Sequence, residues 1–210
     1  MPRRLKLFRG GRSKFPRRLG SILVLLLVIS AYQLYDQGRI SWHKTVIAEI
    51  DDYAEQLERD WRRPDHPPPP AQQGQQLTGN VIKVTDGDTF VLITSDWYEY
   101  TVRLYGIDAP EYDQPHGTAA TQALTGILDE RNVSVTIKDI DNYGRQVGQV
   151  DLEGSDINLV MVREGHAWWY KQYAKSSTAL AQAELQARGS GSGLWADSNP
   201  VPPWLWRRRR

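Results

Sequence analysis

The chain contains no cysteine, which excludes disulfides and thiolate zinc sites and leaves the redox compartment open. Histidine is scarce, and the four present (His43, His66, His116 and His166) show no metal-ligand spacing. Acidic residues are absent from the opening stretch, where Arg3, Arg4, Lys6, Arg9, Arg12, Lys14, Arg17 and Arg18 stand without a counter-charge. Long apolar runs are absent too, except for one from Leu19 to Tyr35. The formal net charge of +1 therefore hides an asymmetry. A second basic group, Arg207 to Arg210, closes the chain, while acidic residues outnumber basic ones between Leu77 and Trp206.

Four segments follow from this distribution. In segment 1–36 a basic stretch leads into roughly 17 mostly apolar residues, about the minimum for a membrane-spanning helix. Tyr32 and Tyr35 suit the far interface, and the preceding positive charges place the N-terminus in the cytoplasm. The expectation is an uncleaved signal-anchor helix with the rest of the chain outside the cytoplasm, in the cell envelope. The alternative is a cleaved signal, with Val28-Ile29-Ser30 ahead of Ala31 as the cleavage site and a secreted product. In segment 37–76, Val46, Ile50, Tyr53, Leu57 and Trp61 recur at helical spacing and predict a stalk helix. Arg62 to Gln76, with Pro67 to Pro70, reads as an extended linker. Segment 77–206 is the folded domain, and 207–210 is a basic tail.

Within the domain, Val81–Val84, Thr89–Thr94 and Tyr98–Tyr105 predict three strands, with a hairpin turn at Ser95-Asp96-Trp97. A helix is expected from about Thr118 to Glu130, then a strand at Val133–Ile137 and another at Gln146–Leu152. Ser155-Asp156 offers an N-cap for a second helix ending near Gly165, and Tyr173 to Arg188 predicts a third. Periodicity by itself indicates a small α+β domain.

The chemistry concentrates between Asp86 and Glu111. Strand alternation lets Asp86 and Asp88 face one spot, and Gly87 between them permits close backbone approach. Arg103 lies on a strand-like run, and Pro110 ends any regular element right after Asp108 and fixes the loop carrying Glu111. Converging carboxylates of this kind call for a cation, and hard oxygen donors select calcium, magnesium or manganese.

Asp86-Gly87-Asp88-Thr89, then Arg103 through Asp108-Ala109-Pro110-Glu111, then Tyr143-Gly144-Arg145, resemble the staphylococcal nuclease family in order and spacing. The resemblance runs from about Leu77 to Trp195, with a Pro-Val-Pro-Pro-Trp tail at 200–204. It implies a five-stranded OB-fold barrel with three helices. It also implies a calcium-dependent endonuclease that hydrolyses DNA and RNA with little sequence preference and leaves 3′-phosphate ends. Asp88 and Asp108 would ligate calcium directly, Ala109 through its backbone carbonyl and Asp86 through water. Arg103 and Arg145 would clamp phosphate, and Glu111 would act as general base. Tyr170, Lys171 and Tyr173 would contact substrate, whereas Trp195, Trp204 and Trp206 read as structural. The alternative is a catalytically silent module that binds nucleic acid or protein. Such modules lose the aspartates or arginines, and this chain keeps them.

Two departures from the archetype stand out. Alanine occupies 109 where threonine is expected, and the loop Tyr112 to Gly117 carries no lysine. The domain thus lacks the positive field of a tight DNA binder.

Overall fold

Alternating burial along three strands builds one wall of a barrel in the computed structural model, which describes residues 66–209 together with Ser30, Arg62 and Pro64. The chain divides into two units, Met1–Trp61 and Arg62–Arg210, and every element below lies in the second. The expected anchor and stalk fall outside the described residues. Among the described residues no helix is long and apolar enough to cross a membrane.

Strand β1 (Gln76–Asp86) turns tightly into β2 (Thr89–Thr94), which hairpins into β3 (Glu99–Leu104). Leu77, Val81, Phe90, Leu92, Val102 and Leu104 point inward and are buried, as the two-residue period requires. Two register shifts bend β1, between Val81 and Lys83 and between Val84 and Asp86. Its first half pairs with β5 (Asn132–Ile140) and its remainder with β2. Antiparallel to β5 runs β6 (Gln146–Leu152), which also pairs parallel to β3 and closes five strands into a barrel. Outside the barrel wall, β4 (Ile107–Asp108) pairs with β8 (Trp168–Trp169), and β7 (Ser155–Asp156) extends β6.

Helix α1 (Gly117–Leu128) buries Ala120, Leu124 and Leu128 at four-residue spacing, one stripe against the barrel. The cap expected for α2 (Ile157–Arg163) is present: the Asp156 side chain accepts from the Leu159 N–H at 3.1 Å. Helix α3 spans Thr178–Ser190, starting later than the sequence suggests. Tyr173 instead stays in a turn, where its carbonyl accepts from the Tyr105 hydroxyl, and Ser177 supplies the cap. Gly191, left-handed at φ 64°, ends α3 beyond the expected Arg188. A four-residue helix α4 (Pro203–Trp206) follows.

The strand after the expected linker also differs. β1 begins at Gln76, not Val81, and the segment before it packs on the domain: Ala71 is buried, and Gly74 and Gln75 exchange backbone hydrogen bonds with Ile137. Ile137 lies on a strand whose end would otherwise present unpaired groups, so the last residues of the linker complete the sheet.

Candidate active site

Asp88 forms the sharp β1–β2 turn with Gly87, where a side chain at Gly87 would come within 2.7 Å of the Ala120 Cβ and 2.8 Å of the Ala109 Cβ. Glycine is what lets the turn lie against α1 and the β4 loop. The Asp88 carboxylate is almost fully enclosed. Its Oδ1 accepts from the Thr89 hydroxyl at 2.9 Å and from Arg103 Nη1 at 2.7 Å, and its Oδ2 accepts from the Ala109 N–H at 2.9 Å.

Arg103 stands opposite Thr89 in the β2–β3 register. Its second nitrogen, Nη2, donates to Asp108 Oδ1 at 2.7 Å, so one guanidinium joins the two aspartates. Pairing with Trp168 holds the Asp108 backbone, and the residue is 0% exposed. Glu111 lies early in the loop between β4 and α1, its N–H donating to Gln114 Oε1 at 3.2 Å. Its carbonyl lies where a Gly117 side chain would have to go, so α1 starts directly against the Glu111 backbone.

The electrostatics follow from this crowding. Burial, and then the neighbouring Asp88 carboxylate, push Asp86 up to about 6. The Asp86 side chain also accepts from the Asp88 N–H at 3.0 Å. Burial raises Asp108 above the ordinary carboxylate range although the guanidiniums beside it pull the other way. For Arg103 burial opposes the charge, but Asp88 and Asp108 outweigh it and raise its pKa.

The other expected residues are placed as follows. Arg145 precedes β6 by one residue, two positions from Val147, the parallel partner of Arg103. Its Nε donates to Asp141 Oδ2 at 2.7 Å and its guanidinium lies 5.5 Å from the Tyr143 ring centroid. Its hydrogen bonds run to Asp141 and not to the Asp88–Asp108 cluster. Ala109 meets the site through its N–H, which donates to Asp88 Oδ2.

Tyr170 stacks on Trp204 at 5.3 Å and 8° and meets Tyr173 edge-on at 5.0 Å. Lys171 lies 4.8 Å over the Trp169 ring. A cleft of about 770 Å³ runs past Tyr170, Lys171, Trp195, Trp204 and Arg208. Tyr173 is largely exposed and does not line it.

Arg207 is the residue that sequence reasoning missed. Grouped with a basic tail, it in fact reaches into the site: Nη2 donates to Asp108 Oδ2 at 2.8 Å and Nη1 to Glu111 Oε1 at 2.7 Å. Burial works against its charge, but Asp108 and Glu111 prevail and raise its pKa. Nothing in the periodicity signals this. The available cue is that the arginine directly follows a Pro-Pro-Trp-Leu-Trp segment able to anchor it.

Among the described residues no group of three histidine, aspartate or glutamate side chains stands at metal-holding geometry. Two carboxylates, Asp88 and Asp108, do converge on one shared cationic group, Arg103. Their hard oxygens fit a divalent ion such as calcium.

A family model described as staphylococcal nuclease homologue matches residues 101–197. An Escherichia coli O157:H7 protein described as an uncharacterized endonuclease is 41% identical over 135 residues, covering 64% of this chain and 87% of that protein. The chain belongs to the staphylococcal nuclease family. Similar family members include an uncharacterized endonuclease of Haemophilus influenzae, 41% identical over 135 residues, with 64% of this chain and 75% of the relative covered. The micrococcal nuclease of Shigella flexneri is 39% identical over 140 residues, covering 62% of this chain and 80% of its own length. Within the staphylococcal nuclease match lie Arg103, Asp108, Glu111, Arg145 and Tyr170; Asp86 and Asp88 precede it and Arg207 follows it.

Proposed function

We propose that this member of the family is a calcium-dependent endonuclease that hydrolyses DNA and RNA with little sequence preference and leaves 3′-phosphate ends. The observation that carries the reading is the Arg103 guanidinium bridging Asp88 and Asp108, with Glu111 beside Asp108 through their shared partner Arg207. With Asp88, Asp108, Arg103 and Glu111 gathered in one small volume, the arrangement supports reading the aspartates as cation ligands, the arginine as a phosphate clamp and the glutamate as the base.

Asp88, Asp108 and the Ala109 carbonyl would hold calcium, and Asp86 would reach it through water. Bound there, the ion would neutralise phosphate charge and favour attack by water. Arg103 is then free to turn from the aspartates to the phosphate. Its planar donor pair matches two phosphate oxygens and keeps its charge at any working pH. Arg145, tied to Asp141 by Nε, keeps its terminal nitrogens for the same task. As negative charge builds up at phosphorus, these donors gain strength, and removing one typically costs a factor of about 10² or more. Glu111 takes the proton from the attacking water. Tyr170 and Lys171 offer a stacking ring and a cation along the cleft, contacts that every base sequence can use.

The test uses the full chain with fluorescently labelled DNA and RNA. Chelator should stop cleavage, calcium should restore it better than magnesium, and Arg103→Gln should lower it about a hundredfold. Undiminished cleavage in excess chelator would overturn the calcium assignment. Absence of cleavage under every cation would favour a silent binding module.

A further inference from the structure

We infer that Arg207 is a positioning residue of the active centre, carried there by the C-terminal segment 200–207 to hold the Glu111 carboxylate against Asp108. The inference rests on the reading of Glu111 as the base.

Glu111 lies on a loop with its side chain about a third exposed. Among the described residues, Arg207 is the one group that donates to its carboxylate. A base that must meet a particular water cannot work well from several rotamers, so something has to select one. The Arg207 fork does so by spanning two carboxylates, Nη1 to Glu111 Oε1 at 2.7 Å and Nη2 to Asp108 Oδ2 at 2.8 Å. Nη1 also donates to Asp108 Oδ1, at a longer 3.2 Å, so the fork draws the two carboxylates together while its short bond from Nη1 goes to Glu111.

The same segment grips the backbone of Glu111. Gln114, nearly fully buried, accepts from the Glu111 N–H at 3.2 Å and donates to the Val201 carbonyl at 2.6 Å. Pro203 is buried and Trp204 lies flat on Tyr170, so the segment that delivers Arg207 is itself docked on the domain. Glu111 is therefore held at its amide by Gln114, three residues on and itself bonded to Val201, and at its carboxylate by Arg207, 96 residues on. Small misplacements of a catalytic group cost on the order of 10²-fold in rate.

The experiment compares the full chain with Arg207→Gln, Arg207→Lys and the neighbouring Arg209→Gln, measuring kcat and KM on single-stranded DNA with calcium, thermal midpoint, and calcium affinity by calorimetry. Arg207→Gln should lower kcat about ten- to a hundredfold with KM, midpoint and calcium affinity nearly unchanged or the affinity raised. Arg207→Lys should recover part of kcat, and Arg209→Gln should match the parent. An unchanged kcat in Arg207→Gln overturns the inference. So does a rise in KM alone, which would make Arg207 a substrate contact, or an equal loss in Arg209→Gln, which would make it one of several interchangeable charges. An inactive parent chain overturns the proposed function together with this inference; an active parent with an unaffected Arg207→Gln overturns this inference alone.

Discussion

The Ala109 N–H donates to Asp88 Oδ2 at 2.9 Å, tying the β1–β2 turn to the loop behind β4 across 21 residues. With Oδ2 committed to the main chain, Oδ1 is left facing Arg103 and Thr89. The orientation of Asp88 is thus set by backbone geometry, independently of whichever cation sits in front of it.

Asp88→Asn tests this bond. An amide can satisfy the Ala109 N–H or the Arg103 guanidinium but meets the other with a donor. Leaving a buried group unpaired costs about 1–3 kcal/mol. Urea unfolding should show a midpoint lowered accordingly, and hydrolysis should fall by about 10² or more. A parental midpoint would mean that the turn is held by something else.

Asp108→Ala and Ala109→Thr separate side chain from backbone. The first removes the carboxylate shared by Arg103 and Arg207 and should abolish calcium binding in calorimetry. The second keeps both the amide and the carbonyl, so binding and kcat should persist. At a position 5% exposed, the added atoms should still cost about 1–3 kcal/mol of stability. Loss of calcium binding in Ala109→Thr would show that the ligands are arranged differently.

Two glycines of α1 should respond in opposite directions. At Gly117 a methyl group would meet the Glu111 carbonyl, part of the backbone that positions the site. Gly117→Ala is expected to lose about 1–3 kcal/mol and most activity. Gly126 has nothing within 4 Å of where its Cβ would be. There alanine should stabilise the helix by about 0.5–1 kcal/mol, read as a higher thermal midpoint with unchanged kcat.

Asp141 gives a pH signature. Burial alone would raise its carboxyl, but the Arg145 guanidinium and the backbone N–H groups of Arg145 and Tyr143 outweigh it and hold the pKa below the usual carboxylate range. A depressed folded pKa means stabilisation that is present above the unfolded value of about 3.9 and lost as pH falls through the folded one. Asp141→Asn should therefore be less stable than the parent near pH 7, with the gap closing below about pH 4. A gap constant from pH 7 to pH 3 would show that Asp141 stabilises by shape and not by charge.

Topology is tested by the eight cationic residues ahead of the apolar run. We propose a membrane anchor with the nuclease domain outside the cytoplasm, so protease added to spheroplasts should digest the domain while cytoplasmic markers survive. Protection alongside those markers would reverse the orientation. A soluble product beginning near Ala31 would show a cleaved signal.

Several strands of the barrel were legible because a strand's alternation depends on neighbours in sequence, whereas the barrel itself was implied by the family resemblance. β2 and β6 start and end where residue alternation and turn residues put them, and Asp156 caps α2 as its position suggests. The short motif around Asp86 and Glu111 was legible as well, since strand period and proline confine those residues to a few positions. Other features depend on partners far along the chain, which no local pattern encodes. β1 extends back to Gln76 because β5 offers a partner, and α3 waits for Ser177 because Tyr173 bonds to Tyr105. Arg145 turns to Asp141, a choice between nearby carboxylates that only geometry makes. The clearest case is Arg207. In sequence it is one of four arginines at the end of the chain, with the charge and flexibility of a solvated tail. The docking of Trp204 on Tyr170 and the hydrogen bond from Gln114 to Val201 bring it 99 residues back to Asp108. An arginine's charge is written in its sequence position, but the carboxylate it neutralises is chosen by packing.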